Sequence, residues 1–318
     1  MKKIFIAIGS LVLLVFLVGE GIGRYFGLCT YPLYSASEQY EYIHAPNQAV
    51  RIYGNRFATN SYSMRSLPID TEQDTTVVLL IGDSVINGGN RTDQDSLAST
   101  KLEILLSAKM GQPVRVLNIS AGSWGPDNGA AYLNEHGMFG ADMMVMVYSS
   151  HDAFDNMTFK PVVGIHPQYP SKQAPLAWMK IIERGMQQFQ PAKKGKQAQK
   201  QRQQNLGISE GKVFNQGLAD LVAMGESAGI PVVLYLHATT KEIKKKKSET
   251  GREEIKEFAA LRNLKLMDEL DLGVKPKHFI DDIHFNDLGQ QFLADQLAPV
   301  IEAGLLEPPV KDIPLAVE

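Results

Sequence analysis

The residues most able to do chemistry in this sequence are serines, histidines and aspartates placed next to apolar runs. Four short groups contain them: Gly82-Asp83-Ser84, Ala121-Gly122-Ser123-Trp124-Gly125, Ser149-Ser150-His151-Asp152 and Asp281-Asp282-Ile283-His284. Hydrolysis by a serine needs a hydroxyl nucleophile, an imidazole base, a carboxylate that orients the base, and N–H donors for the oxyanion. The four groups supply all of these parts, so hydrolysis is the first chemistry to consider.

The elements that must position these groups are strands and helices in alternation. Apolar runs predict strands at 76–81, 114–119, 143–148, 230–236 and 264–267, and helical spacing predicts helices at 97–108, 132–139, 214–228, 255–261 and 288–303. Such alternation is typical of a parallel sheet covered on both faces. We therefore predict a three-layer α/β/α fold with about five central strands in flavodoxin-like order. Functional groups then meet at the carboxyl ends of the strands.

Other chemistries have weaker support. The stretch Gly82–Gly89 lacks G-x-G-x-x-G, no G-x-x-x-x-G-K-[ST] occurs, and the residues after Ser84 do not complete G-x-S-x-G. His151-Asp152 and Asp281-x-x-His284 carry side chains that bind metals, but no second histidine stands four residues away on a helix. We therefore predict neither a metal nor an organic cofactor.

Composition limits the class of protein and the division of the chain. The 318 residues are 44% hydrophobic with a formal net charge of −3, which excludes a wholly disordered chain and disfavours general nucleic-acid binding. Cys29 is the single cysteine, so an intrachain disulfide is excluded. We expect an N-terminal segment (1–26), a loop-rich lead-in (27–74), a catalytic domain (75–305) and a C-terminal tail (306–318). A Gln- and Lys-rich insertion at 155–212 is typical of a solvated loop; the alternative is a groove for an anionic polymer or lipid head groups.

The N-terminal segment predicts export or membrane insertion. Lys2 and Lys3 precede an apolar run of about 15 residues from Ile4 to Val18, and Arg24 follows it. An uncleaved anchor is favoured because the small-residue pattern of a signal cleavage site is poor, although cleavage stays the alternative. The lysines favour a cytoplasmic N-terminus, which places the rest of the chain outside the cytoplasm.

Two of the four groups together carry a family resemblance. Gly82-Asp83-Ser84 directly after the first strand, with Asp281-x-x-His284 before the last helix, resembles the SGNH (GDSL) hydrolase superfamily from about residue 75 to 305, the insertion excepted. The resemblance implies that Ser84 is the nucleophile, His284 its base and Asp281 the carboxylate that orients the base. It also implies oxyanion donors in the backbone amides of Ser84 and a glycine, which is Gly122 or, alternatively, Gly125.

The third motif departs from the pattern of the superfamily. Gly-x-Asn-Asp is usual there, and this chain has Ser149-Ser150-His151-Asp152. The usual asparagine donates to the oxyanion, and an imidazole N–H can do the same. We expect His151 to be either this donor or a substrate contact. Trp124 and Tyr148 are candidates for a sugar platform, with core packing as the alternative.

The membrane-proximal start and the segment 60–65 resemble envelope members of the superfamily that handle acyl groups on polysaccharides. The resemblance implies a serine esterase that removes acyl groups, acetyl first among them, from a cell-surface or secreted polysaccharide. Its expected location is the outer face of a bacterial inner membrane, with an acylated glycan as substrate and polysaccharide synthesis proteins as partners. An O-acyltransferase and a non-catalytic glycan-binding component of an assembly complex stay open as alternatives.

Overall fold

The computed structural model describes residues 1–69, 75–189, 209–210, 213–245 and 250–306. The basic part of the insertion around 190–208 and the tail beyond 306 lie outside the described residues. In chain order the elements are α1 (Lys2–Tyr25), β1 (Tyr34–Ser37), β2 (Glu41–His44), β3 (Ala49–Ile52), β4 (Asn55–Ala58), β5 (Thr76–Gly82), α2 (Ser84–Asn87), α3 (Ala98–Met110), β6 (Val114–Ser120), α4 (Pro126–His136), β7 (Met143–Ser149), β8 (Asp155–Asn156), α5 (Ala177–Phe189), β9 (Ser209–Glu210), α6 (Gly217–Ser227), β10 (Val232–His237), α7 (Thr240–Lys245), α8 (Thr250–Leu261), β11 (Lys265–Asp268) and α9 (Asp287–Leu306).

The central sheet has five parallel strands in the order β11-β10-β7-β5-β6. Counted along the chain from β5, this is the 2-1-3-4-5 order of flavodoxin-like sheets, so the predicted fold and strand order are confirmed. All seven residues of the middle strand β7 are buried. Burial on both faces explains why these strands read as continuous apolar runs instead of alternating patterns.

Helices cover both faces of the sheet. Side chains of α3 and α9 pack with one set of strand residues, and α4, α6 and α8 pack with the other. The predicted helix at 132–139 is wrong in its bounds, because α4 begins at Pro126 and ends before Gly137. Proline suits the first helical position, and the Gly125 N–H donates to the Asn128 side chain 2.8 Å away, which fixes this start.

The lead-in is more ordered than the sequence indicated. Two antiparallel hairpins, β1–β2 and β3–β4, occupy part of it. Their strands have four residues each, too few to reveal an alternating pattern. Ile43, Ile52 and Phe57 are nevertheless buried there. These hairpins lie against the end of the sheet where the functional groups meet.

Candidate active site

Ser84, His284 and Asp281 form a continuous hydrogen-bonded chain. His284 Nε2 lies 2.9 Å from Ser84 Oγ, and His284 Nδ1 lies 2.9 and 3.0 Å from the two carboxylate oxygens of Asp281. Nδ1 is therefore the donor toward Asp281, which leaves Nε2 to accept the serine proton. The structure thus brings together the three residues that the sequence singled out, in the order that a serine nucleophile requires.

Ser84 lies at the carboxyl end of the central sheet, between β5 and α2. It is the first residue of α2, which begins where β5 ends. Asp83 caps this short helix, since its carboxylate accepts the N–H of Val85 at 2.8 Å. Gly88 ends the helix with a φ of 69°, a conformation that glycine adopts without strain. The nucleophile candidate therefore sits in a tight strand–helix turn.

Asp281 and His284 stand in a loop that is held from several sides. The Asp281 carboxylate also accepts the backbone N–H groups of Ile283 and His284. Partial burial alone would raise the pKa of Asp281, but these hydrogen bonds and the His284 side chain outweigh it and lower the pKa below its usual value. Asp281 is thus kept as a carboxylate.

A buried histidine that the sequence reasoning missed supports the same loop. His237, the last residue of β10, has Nε2 2.8 Å from the carbonyl oxygen of Ile283 and Nδ1 2.7 Å from Glu269. Burial alone would lower the pKa of His237, but Glu269 raises it overall. Thr240 adds a hydrogen bond to Asp282 at 3.0 Å. These contacts tie the loop that carries Asp281 and His284 to the end of β10 and the start of α7.

Gly122 and Gly125 differ in whether their backbone N–H groups are available. The Gly125 N–H donates to the Asn128 side chain, and a Cβ at Gly125 would overlap the carbonyl oxygen of Asp155. Gly122 lies beside Ser84 in the lining of one cavity, where its N–H makes no hydrogen bond to the described residues. The hydroxyl of Tyr42 donates to the Gly122 carbonyl at 3.0 Å and fixes that peptide. Of the two glycines, Gly122 is therefore the one whose N–H could serve an oxyanion.

His151 pairs with the buried carboxylates of Asp152 and of Asp83, the residue that precedes Ser84. Its Nε2 lies 3.2 Å from Asp152 Oδ1 and 3.9 Å from Asp83 Oδ2, while the side chain keeps 40% of its surface exposed. Burial raises the pKa of Asp83 to about 6 and that of Asp152 to about 7. Asp152 also accepts the Ser149 N–H at 2.6 Å, which holds the turn that carries His151.

The possible metal ligands are grouped differently from the two His-Asp pairs considered from the sequence. His284 is engaged with both Asp281 and Ser84, whereas the ligand atoms of Asp83, His151 and Asp152 all lie within 4.8 Å of one another. That spacing would suit a divalent cation. The hydrogen bonds of Asp83 to Val85 and of Asp152 to Ser149 give both carboxylates a structural role as well.

A cavity of about 710 Å³ opens over the Ser84–His284 pair. Tyr34 and His44 of the first hairpin line it, together with Gly122 and, from α5, Lys180 and Glu183. The cavity is therefore built by the sheet end, the lead-in and the insertion together. Trp124 and Tyr148 are buried in the core, so the sugar platform considered from the sequence is wrong.

A buried arginine of the lead-in holds the loop that follows Ser84. The Arg65 guanidinium donates to the carbonyl oxygens of Asn87, Gly89 and Thr92. Its Cζ atom also lies 4.4 Å from the centre of the Phe57 ring. Burial lowers the pKa of Arg65 to about 9. The sequence segment 60–65 had suggested a family likeness but not this contact.

Comparisons with known proteins give distant structural similarity. No family model and no curated protein matches the sequence. A lipase/acylhydrolase from Enterococcus faecalis is 15% identical with a TM-score of 0.42, and the match covers 74% of this chain and 100% of that one. An acetyl-xylooligosaccharide esterase variant from Geobacillus Stearmophilus is 13% identical with a TM-score of 0.42, covering 74% and 97%.

A two-domain esterase active on acetylated mannans is 10% identical with a TM-score of 0.42, and the match covers 74% of this chain and 53% of that one. All three proteins are described as acyl hydrolases or esterases, the class to which the sequence resemblance pointed. Because these identities and TM-scores are low, the function of this chain has to be argued from the geometry of its own site.

Proposed function

We propose that this chain is a serine esterase of the SGNH superfamily that removes acyl groups, acetyl first among them, from a cell-surface or secreted polysaccharide. The observation that carries the proposal is the contact chain from Ser84 through His284 to Asp281, with distances of 2.9 Å at each step. A protein that only bound a glycan would have no need of this arrangement.

The geometry supports a two-step mechanism. Ser84 Oγ attacks the ester carbonyl carbon while His284 Nε2 takes the hydroxyl proton, and the imidazolium then protonates the departing sugar oxygen. Water, deprotonated by the same Nε2, attacks the resulting acyl-enzyme and releases the carboxylic acid and free Ser84. Asp281 holds Nδ1–H throughout and stabilises the imidazolium, which its lowered pKa favours.

We assign the stabilisation of the oxyanion to the backbone N–H groups of Ser84 and Gly122, with a side-chain N–H of His151 as a third donor. Support comes from the Gly122 N–H, which has no hydrogen-bond partner in the part of the chain that the structure describes, and from the position of His151 next to Asp83, which caps α2. In the tetrahedral intermediate these donors would face the negative oxygen. The cavity of about 710 Å³ is large enough for a sugar unit that carries a small acyl group.

The membrane placement is also proposed. The helix α1 is long and apolar enough to cross a membrane. We infer that α1 is retained as an anchor, because its last turns contact α5: the Trp178 indole N–H donates to the Phe16 carbonyl at 2.8 Å, and the Trp178 backbone N–H donates to Glu20 at 3.3 Å. Signal cleavage would remove these contacts. The catalytic domain would then lie on the extracytoplasmic side of the inner membrane.

The test is hydrolysis of p-nitrophenyl acetate by the full chain in detergent. We expect Ser84→Ala and His284→Ala each to lower kcat by about 10⁴-fold or more. Ser227→Ala and His136→Ala, which change residues away from the cavity, serve as controls and should stay within about twofold. Full activity in Ser84→Ala would overturn the proposal. Adding an acceptor glycan and measuring acylated glycan against free acid decides whether water or a sugar hydroxyl takes the acyl group.

A further inference from the structure

The helix α5 presents three different faces, and only two of them have partners among the described residues. Ala177, Trp178 and Ile181 face α1 and the residues after it. Met179, Ile182 and Met186 follow helical spacing on another side and are 51%, 57% and 65% exposed. An apolar stripe left open on a helix beside a candidate membrane span is typical of contact with a membrane interface.

The side of α5 that faces α1 packs directly against the apolar surface of α1, so the apolar stripe lies on a helix fixed beside the candidate membrane span. The Trp178 ring stacks on Phe16 with ring centres 6.1 Å apart, and Gly19 leaves room for the ring because any Cβ there would overlap it. Arg24 donates to the carbonyl of Pro175 at 2.7 Å, which fixes the start of α5 beside the last turn of α1. Tryptophan and charged residues at this level are typical of the membrane–water boundary.

The third face of α5 forms a wall of the catalytic cavity. Lys180 and Glu183, joined by an ion pair of 2.8 Å, line the same cavity as Ser84 and His284. Lys180 lies 5.0 Å above the ring of Tyr31, which follows shortly after α1. The cavity thus extends from the nucleophile to the helix that carries the open apolar stripe.

We propose that α5 rests on the lipid bilayer in which α1 is embedded and that the cavity takes its ester from a molecule anchored in that bilayer. The substrate class is an acylated glycan attached to a lipid, presented at head-group level. The choice of an ester rests on the proposed function, whereas the seating of α5 on the membrane does not.

Lipid contact is tested by tryptophan quenching with the full chain in phosphatidylcholine vesicles whose acyl chains are brominated. Ile182→Trp adds a reporter on the stripe, and Ile104→Trp adds one on α3, where Ile104 is 64% exposed; the quenching of Trp124 and Trp178 in the unsubstituted chain is the baseline that is subtracted. We expect strong quenching of the reporter at 182 and none at 104. Equal quenching at the two positions would overturn the seating of α5.

Substrate delivery is tested with two esters, soluble p-nitrophenyl acetate and an acetylated alkyl glucoside embedded in vesicles. Ile182→Glu should lower kcat/KM for the embedded ester about tenfold and leave the soluble ester within about twofold. Met186→Glu repeats the test on the same stripe, whereas Ile182→Leu should keep the original rate and Ile104→Glu should change neither ester. Equal effects on both esters would overturn delivery from the membrane. Ser84-independent hydrolysis of the soluble ester would instead refute the proposed function, and the quenching result would still decide the seating of α5.

Discussion

At the scale of single residues, the catalytic candidates could be found from sequence because each follows an apolar run that predicts a strand or precedes the last helix. Ser84, Asp281 and His284 met these conditions. Arg65 did not, and His237, although it follows the predicted strand 230–236, belongs to none of the four residue groups; both side chains are buried by contacts between distant parts of the chain. His237 is the last residue of an otherwise apolar strand, and no local pattern marks its contact with the loop of Ile283.

His151 is the residue whose chemistry departs from the family pattern, and its role is open to test. We expect His151→Ala to lower kcat about 10²-fold, the usual effect of losing one oxyanion donor, while the acyl-enzyme still forms. His136→Ala, which removes another partly exposed histidine, is the control. Steady-state kinetics with p-nitrophenyl acetate measures the effect. An unchanged kcat would remove His151 from the oxyanion hole.

At the scale of elements, close packing of α8 positions the turn that carries His151. Gly251, near the start of α8, approaches the carbonyl oxygen of Ser150 so closely that a Cβ would overlap it. The sequence predicted a helix beginning at 255, whereas α8 begins at Thr250. A glycine in a helix usually signals a break, and only the tertiary contact explains why it is needed here.

Gly251→Ala should therefore destabilise the protein, by about 2–3 kcal/mol, because the backbone of the 150–153 turn must move. Its kcat should fall as well, since His151 moves with the turn. The matched change Gly185→Ala on α5, where a Cβ meets no neighbour, should be neutral or stabilising by up to about 1 kcal/mol. Urea unfolding of both variants compares these values. If Gly251→Ala and Gly185→Ala had equal free energies of unfolding, the 150–153 turn would accommodate the extra methyl group without cost, which would contradict the prediction.

At the scale of the whole molecule, the sheet and its strand order were predictable, since buried parallel strands and their helices leave strong periodic signals. The hairpins and the packing of α5 on α1 were not. The hairpin strands are too short to show a period, and the contact of Trp178 with Phe16 joins segments 162 residues apart. Long-range contacts of this kind have no signature in a single sequence.

Buried carboxyl groups near the site make the stability of the whole chain depend on pH. Burial is the main reason why the pKa values of three carboxyl groups are raised. The pKa is about 9 for Asp155, about 7 for Asp152 and about 6 for Asp83. At any pH between the ordinary pKa of about 3.8 and these raised pKa values, the folded chain binds more protons than the unfolded chain. The contribution of these groups to the free energy of unfolding therefore falls as the pH rises from about 5 to 9.

Asp155→Asn should weaken this dependence, because an amide cannot ionise and Asp155 Oδ2 has no hydrogen-bond partner among the described residues. We expect its melting temperature to rise by about 3 °C or more at pH 8 and to change little at about pH 5. Asp271→Asn, at an exposed aspartate, is the control. Thermal melts at about pH 5, 7 and 9 provide the measurement. A lower melting temperature for Asp155→Asn at about pH 8 would contradict the assignment.

The separation of Ser84 and His284 along the chain also sets the timing of activity during synthesis. The two residues are 200 positions apart, so Ser84 is synthesised well before the loop that carries Asp281 and His284. The α1 helix and the serine emerge long before the histidine exists. A chain that stops before His284 thus holds a serine with no imidazole to take its proton, and the Ser84–His284 pair can form only after the later loop has been synthesised.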